Sequence, residues 1–198
     1  QAVKQIVPKL RKKHRVDLVI ANVENLAHGK GITKDTFQEI KNIGIDIFTS
    51  GNHIWRRKEG LKLLEDEKLK ILRPANYPPG VPGRGFIIAT INNKKVLVIN
   101  LIGRVFMSKD YDDPFRKFDE TLAQTSEIDE VIVDFHAEAS SEKQAFAWYI
   151  AGRASLVFGT HTHVPTADAG LVSKYNLGYV TDVGMVAARD SILGVKKE

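Results

Sequence analysis

Four short polar clusters carry the residue types that hydrolytic metal chemistry needs: Asn22-Val-Glu24-Asn25, Gly51-Asn52-His53, Asp134-Phe-His136 and Gly159-Thr-His161-Thr-His163. Each follows an apolar run, and four of the six histidines lie in them. A two-metal hydrolytic site holds its ions roughly 3.5–4 Å apart, which demands a bridging ligand, several neutral donors and open positions for water and substrate. Glu24 is the bridging carboxylate this reading selects. His136, His161, His163 and the amide oxygen of Asn52 are donors suited to Fe, Mn or Zn. His161 and His163, two residues apart, share a face if the backbone there is extended, and so could serve adjacent ions.

Such clusters converge only if a fold gathers the strand ends. Layered α/β folds do this, because the carboxyl ends of their strands lie along one edge where ligand sites form. The short β-branched run Asp17–Ala21 reads as a strand covered on both faces. Ile45–Thr49, Glu130–Phe135 and Ser155–Phe158 repeat that pattern, and Leu177–Thr181 is a further candidate. Val3, Ile6, Val7 and Leu10 place an amphipathic helix over residues 1–13, expected to lie on a sheet. A second helix starts near Thr33 and stops at Gly44, and a third covers Arg56 to Leu64. A fourth follows Pro114, and Ser141-x-x-Gln144 reads as a capping box opening a fifth that runs to Gly152. Gly85–Ile91 and Lys95–Leu101 flank Asn92-Asn93 and form a hairpin. The Pro/Gly-dense stretch Arg73–Gly85 excludes helix. The expected fold is therefore α/β, with mixed β-sheet layers flanked by helices, in a single domain spanning 1–198.

Composition narrows the function classes. The 198 residues are 43% hydrophobic and 27% charged, an ordinary globular balance. With 29 Lys+Arg against 24 Asp+Glu the net charge is +5, which favours anionic partners without marking a dedicated nucleic-acid binder. Cysteine is absent, so thiolate zinc sites and Cys nucleophiles are excluded. No apolar stretch reaches the ~20 residues of a membrane span, which agrees with no membrane partner and a cytoplasmic setting. Gly29-Lys-Gly31 lacks the spacing of a nucleoside-triphosphate loop. His14 reads as a solvated basic face and His28 as a surface loop residue. Arg73 and Arg104 are read as covering loops rather than holding phosphate, and Trp55, Trp148 and Tyr149 as packing residues. Asp134 and Asp182 fit the role of orienting ligand imidazoles better than that of ligands.

The motif set resembles that of calcineurin-like metallophosphoesterases, in which Gly-Asn-His and Gly-His-x-His blocks recur in this order. It is more closely similar to the bacterial YmdB-like subfamily, through Asn22–Asn25 with Gly29–Gly31, Leu72-Arg-Pro-Ala-Asn-Tyr-Pro78, Asn100–Met107, Asp134-Phe-His-Ala-Glu138 and Thr181–Met185. The resemblance implies a dinuclear, di-iron-type phosphodiesterase acting on 2′,3′-cyclic nucleotides and other small phosphodiesters through a metal-activated hydroxide. Iron is the first expectation for the two divalent or mixed-valence ions, with manganese or zinc as alternatives. By the same resemblance Glu24 bridges the ions, Asn25 and His163 complete one site, Asn52, His136 and His161 complete the other, and His53 donates the proton.

The resemblance also implies a strand with an Asp-bearing loop before residue 1 and further β-structure after Val195. The chain is thus expected to be an internal fragment lacking the first strand and the C-terminal β segment, with one metal site short of a carboxylate. Two other readings remain. A catalytically silent regulatory or RNA-binding module would suit the +5 charge, with RNA ends as a partner class. A phosphomonoesterase would use the same ligands. A homo-oligomer is compatible with all three.

Overall fold

The computed structural model describes residues 2–188 and 190–196. In chain order it contains α1 (Ala2–His14), β1 (Ile20–Asn22), α2 (Lys34–Lys41), β2 (Ile47–Thr49), α3 (Lys58–Glu65), β3 (Phe86–Ile91), β4 (Lys94–Ile102), α4 (Pro114–Ala123), β5 (Glu130–His136), α5 (Ser140–Ile150), β6 (Leu156–Thr160), β7 (Gly170–Val172) and β8 (Leu177–Val180). A 3-10 turn at Ile54–Arg56 precedes α3. Ser191–Ile192 pairs with Val195–Lys196 in a small hairpin.

Strands β1 and β2 form a parallel pair. The second sheet has the order β3-β4-β5-β6-β8-β7, with β4, β5, β6 and β8 parallel and antiparallel strands at both edges. The two sheets pack face to face. Ile47 of β2 joins Val96 and Val98 of β4 in one apolar cluster, with Ile20 and Ile132 packed against it. On the outer face of the large sheet, Leu97, Ile99, Val133 and Phe135 meet Phe118 of α4 and Phe146 of α5. On the outer face of the small pair, Phe48 packs with Phe37 of α2 and Leu64 of α3. The layers therefore run helix, sheet, sheet, helix, and each buried Leu, Ile or Phe contributes roughly 1.5–3 kcal/mol.

The period of two along a strand explains where the polar residues fall. Ile20 and Asn22, Ile47 and Thr49, Val98 and Asn100, and Ile132, Asp134 and His136 occupy alternate positions on strands whose inner faces meet across the gap. Each series is apolar at its start and polar at its carboxyl end. The gap between the sheets is thus greasy in the middle and hydrogen-bonding at one edge. Asn100 Oδ1 accepts from the Ser50 amide there, and the Thr49 hydroxyl donates to Asp134.

Local chemistry sets the boundaries. Thr33 caps α2 through the Thr36 amide, and Asp113 caps α4 ahead of Pro114. Asn92 and Asn93 turn the β3–β4 hairpin at φ of 48° and 65°, the left-handed pair that a two-residue turn needs. Two expectations are corrected. Helix α5 begins at Ser140 with Ala139 at its cap and no side-chain cap bond, so Ser141 lies in the first turn and no capping box forms. In α1 the stripe facing the protein is Val3, Val7 and Arg11 rather than the full apolar set, while Ile6 and Leu10 are exposed. Arg11 turns the helix, because its guanidinium bonds Asp46 at 2.7 Å and the Gly44 carbonyl at 2.8 Å. Residue 1 of the expected helix lies outside the described residues. Among the described residues no helix is long and apolar enough to cross a membrane.

Candidate metal centre

The four clusters meet at the carboxyl edge of the sheets. Glu24 follows β1, Asn52 and His53 follow β2, His136 ends β5, and His161 and His163 follow β6. Glu24 and His136 are each 1% exposed. His136 Nε2 lies 3.0 Å from Asn52 Oδ1, 3.1 Å from His161 Nδ1 and 3.2 Å from Glu24 Oε1. Among the described residues, Glu24, His136 and His161 form the one group of His and carboxylate donors whose atoms all lie within 4.8 Å of one another.

The hydrogen-bond directions around His136 decide what this group is for. The Thr160 hydroxyl donates its single proton to Asp134 Oδ1 at 2.7 Å. Its oxygen must therefore accept from His136 Nδ1, 2.9 Å away. That fixes the proton on Nδ1 and leaves the Nε2 lone pair facing the others. His161 Nε2 is 2.9 Å from Glu138 Oε2, which places the lone pair of that ring on Nδ1. Four lone pairs then converge: an amide oxygen, a carboxylate oxygen and two imidazole nitrogens. One proton can satisfy a single member of such a set, whereas a divalent cation satisfies all four. Burial pushes the Glu24 carboxyl up, and the hydrogen bond from the His53 amide draws it down. The cluster is arranged to hold positive charge, and its donors fit a transition-metal ion.

Close approach is built into the sequence. A Cβ on Gly51 would collide with the His136 imidazole, so the Gly of Gly51-Asn52-His53 makes room for that ring. Burial pushes the Asp134 carboxyl up to about 6, against hydrogen bonds from Thr49, Thr160 and Asn22 that pull down. It stays an acceptor at neutral pH and anchors the Thr160–His136 chain.

The other side of Glu24 is looser. Asn25 Nδ2 lies 3.1 Å from His163 Nε2 and 3.5 Å from Glu24 Oε1, and Asn25 Oδ1 lies 3.0 Å from His53 Nδ1. His163 Nδ1 is buried without a hydrogen-bond partner. The expected extended His-x-His segment is not found. His161 and His163 have φ of 106° and 66°, so the chain turns through the left-handed region after β6 and sends the two rings to different neighbours. The turn is pinned from beneath, where Lys143 Nζ donates to Asp182 Oδ2 at 2.8 Å and the same oxygen accepts from the Thr162 amide at 3.1 Å. Burial pushes Asp182 up, but Lys143 and the Gly184 and Thr162 amides outweigh it and hold the carboxyl below the ordinary range.

Burial lowers the affinity of His53 for a proton, as do the charges of Lys30 and Arg56, while Glu24 opposes them. Arg73 covers a loop, bonding the carbonyls of Pro74 and Ala75, and Arg104 is exposed. His28 lies exposed. Sequence reasoning missed Thr160, Lys143 and Glu142. Thr160 was discernible as the polar inner-face residue beside Asp134. Lys143 and Glu142 sit in the polar run Ser140-Ser-Glu-Lys-Gln144, which gives no sign of burial. Glu142 nonetheless accepts from the Arg104 and Val105 amides and ties the loop after β4 to α5.

The family model described as YmdB-like protein matches residues 1–198. This chain belongs to the YmdB-like family. A Bacillus subtilis relative named 2′,3′-cyclic-nucleotide 2′-phosphodiesterase is 46% identical over 197 residues, covering 99% of this chain and 74% of the relative. A crystal structure of a hypothetical protein from Thermus thermophilus superposes with a TM-score of 0.91 at 46% identity, over 98% of this chain and 75% of that one. A Mycoplasma pneumoniae structure described as a novel phosphatase gives a TM-score of 0.90 at 35% identity, over 98% and 70%. This YmdB-like chain thus shares its fold with phosphoesterases, and it is a phosphoesterase-type hydrolase as its motifs imply. Divalent metal ions follow from that membership and from the donor set.

Proposed function

We propose that the protein hydrolyses small phosphodiesters, 2′,3′-cyclic nucleotides foremost, at a dinuclear centre. In this reading Glu24 bridges, Asn52, His136 and His161 hold one ion, and Asn25 and His163 hold the other. The observation that carries it is the convergence of four lone pairs at His136 Nε2, buried and braced on both sides. The name of the Bacillus subtilis relative supports the choice of substrate. Iron is the first assignment, with manganese and zinc suited to the same donors. When bound, such ions supply Lewis acidity to the phosphoryl oxygens and acidify water for attack at neutral pH.

The residues themselves supply geometry and proton transfer. The Asp134–Thr160–His136 chain fixes one imidazole in the tautomer that offers Nε2. Gly51 lets that imidazole lie against the backbone that carries Asn52. The His53 amide donates to Glu24 Oε2 at 2.9 Å and holds the carboxylate in register. The His53 ring donates Nδ1–H to Asn25 Oδ1 and, as the imidazolium, presents Nε2–H as the proton donor to the leaving ribose oxygen. A positioned acid of this kind contributes about 10²–10⁴-fold.

Replacing His53 by Ala is expected to lower turnover of adenosine 2′,3′-cyclic phosphate about 10²-fold or more while metal content, measured by mass spectrometry, stays near that of wild type. Equal loss of metal and turnover would remove His53 from the donor role. Faster hydrolysis of a phosphomonoester than of the cyclic diester would overturn the substrate assignment.

A further inference from the structure

The carboxyl edge carries a second feature that the metal chemistry does not use. Beside the donor cluster lies a cavity of about 320 Å3 whose walls include Trp55, Tyr77, Tyr111, Pro78 and Val81, with Lys109 at its margin. Trp55 is two residues beyond His53, on the 3-10 turn that follows β2. Tyr77 comes from the Pro/Gly-rich loop and Tyr111 from the loop after β4, so the cavity and the donors share one edge of the fold. Burial pushes both phenols above the usual tyrosine range, and the charge of nearby Glu24 acts in the same direction. Both hydroxyls therefore remain O–H donors at any physiological pH.

Three properties describe an occupant. The walls are aromatic and apolar, and the rings stand edge to face, Trp55 to Tyr77 at 5.4 Å and 80°, Tyr77 to Tyr111 at 5.1 Å and 73°. They present π surfaces and ring edges to a flat guest. The volume lies at the lower end of the ~300–1,000 Å3 of small-molecule sites, which suits one ring system with its sugar and not a longer chain. Tyr77 and Tyr111 are 8% and 5% exposed, and the hydroxyl of each is buried without a hydrogen-bond partner. Tyr77 and Tyr111 thus serve the cavity as aromatic wall rather than as open hydrogen-bonding groups. A phosphate suits the cavity poorly, because Asp110 also lines it beside Lys109 and offsets that charge.

We propose that this cavity receives the base of the nucleotide whose phosphodiester lies over the donor cluster, making Trp55, Tyr77 and Tyr111 the residues that set preference for a nucleotide over other diesters. The inference rests on the phosphodiesterase reading for its orientation, while the binding it asserts is separable from turnover. Fixing the loop from Arg73 to Gly85 is then part of substrate selection. Asn76 does this by bonding the Ile102 and Asp112 carbonyls at 2.7 and 2.8 Å.

The test uses both binding and rate. The chain has two tryptophans, and Trp148→Phe leaves Trp55 as the sole indole reporter. Adenosine, which lacks a phosphate, should quench that fluorescence saturably, and Tyr111→Leu should weaken the quenching on the order of tenfold. In parallel, the ratio of kcat/KM for adenosine 2′,3′-cyclic phosphate to that for the base-free 1-O-methylribose 2′,3′-cyclic phosphate should fall at least tenfold in Tyr111→Leu, mainly through KM. Tyr111→Phe, which keeps the ring, should fall less. No saturable quenching by adenosine in the Trp148→Phe protein overturns the base cavity without any further variant. Hydrolysis of both diesters with an unaltered ratio also overturns the cavity and leaves the phosphodiesterase reading standing. Saturable adenosine binding with no turnover of either diester does the reverse.

Discussion

The two sides of Glu24 are built differently. His136 stands on the last residue of a central parallel strand, and a neutral hydroxyl chain to Asp134 fixes its tautomer. His161 and His163 stand on a left-handed turn beyond the strand, held by an ion pair that reaches them only through the Thr162 amide. The strand-borne side is preorganised by residues that the fold needs in any case, since Thr49, Asp134 and Thr160 also fill the polar end of the intersheet gap. The backbone of the turn-borne side is held by a dedicated brace, and His163 Nδ1 stays unpartnered. The cluster around His136 Nε2 thus joins a donor fixed by the strand to one, His161, whose position is set by a separable support.

The largest effect should come from breaking the brace under the turn. Lys143 and Asp182 are each 1% exposed, so Lys143→Met leaves a buried carboxylate without its counter-charge. The expected cost is about 3–5 kcal/mol, read from denaturant unfolding. A loss under about 1 kcal/mol would show that the pair is not structural and that the turn stands by itself. The pH dependence has a definite sign. Asp182 is held below its unfolded value, so its contribution is fully present above the unfolded carboxylate pKa, about 3.9, and fades as pH falls through the lower folded value. The stability gap between wild type and Asp182→Asn should accordingly be widest near neutrality and close in acid.

The same division explains what was legible in the sequence. His136 was visible because a strand's period of two ties an apolar run to the polar residue that ends it, and Glu24 and Asn52 because each falls within a few residues of the end of such a run. The helix–sheet alternation and the Asn92-Asn93 hairpin were legible for the same local reasons. The turn was not. Extended geometry is the default for a His-x-His segment, and nothing in Gly159–His163 announces positive φ at His161 and His163, because the strain is sustained by Asp182 and Lys143, some twenty residues away on either side. The aromatic cavity was equally hidden. Trp55, Tyr77 and Tyr111 come from three loops, and as single residues each reads as ordinary packing.

The strand-borne side should respond to its own brace in a different observable. Thr160→Val removes the hydroxyl between His136 Nδ1 and Asp134 while keeping β-branched shape. Stability should fall by only about 1–3 kcal/mol, because the buried His136 Nδ1–H loses its acceptor while Asp134 keeps its bonds from Thr49 and Asn22. Metal affinity should weaken about 10–100-fold, since the imidazole loses the acceptor that fixes its tautomer. Competition titration with a chelator of known affinity reads this directly. If Thr160→Val and Lys143→Met weakened metal binding equally, the two sides would be mechanically one unit, and the contrast drawn between them would fail.

The smallest effect belongs to Glu138, whose carboxylate meets His161 Nε2 at 2.9 Å but is 48% exposed. It stands behind the ring of His161 as Thr160 stands behind that of His136, but as a carboxylate open to solvent where Thr160 is a buried hydroxyl. Water can replace an exposed acceptor at little cost, and exposed ion pairs contribute about 0–1 kcal/mol. Glu138→Ala should therefore change metal affinity by less than about fivefold, well short of the Thr160→Val effect. The same titration decides the matter. A loss as large as that of Thr160→Val would mean that solvent does not substitute for the carboxylate, and that the turn-borne imidazole is as strictly oriented as the buried one.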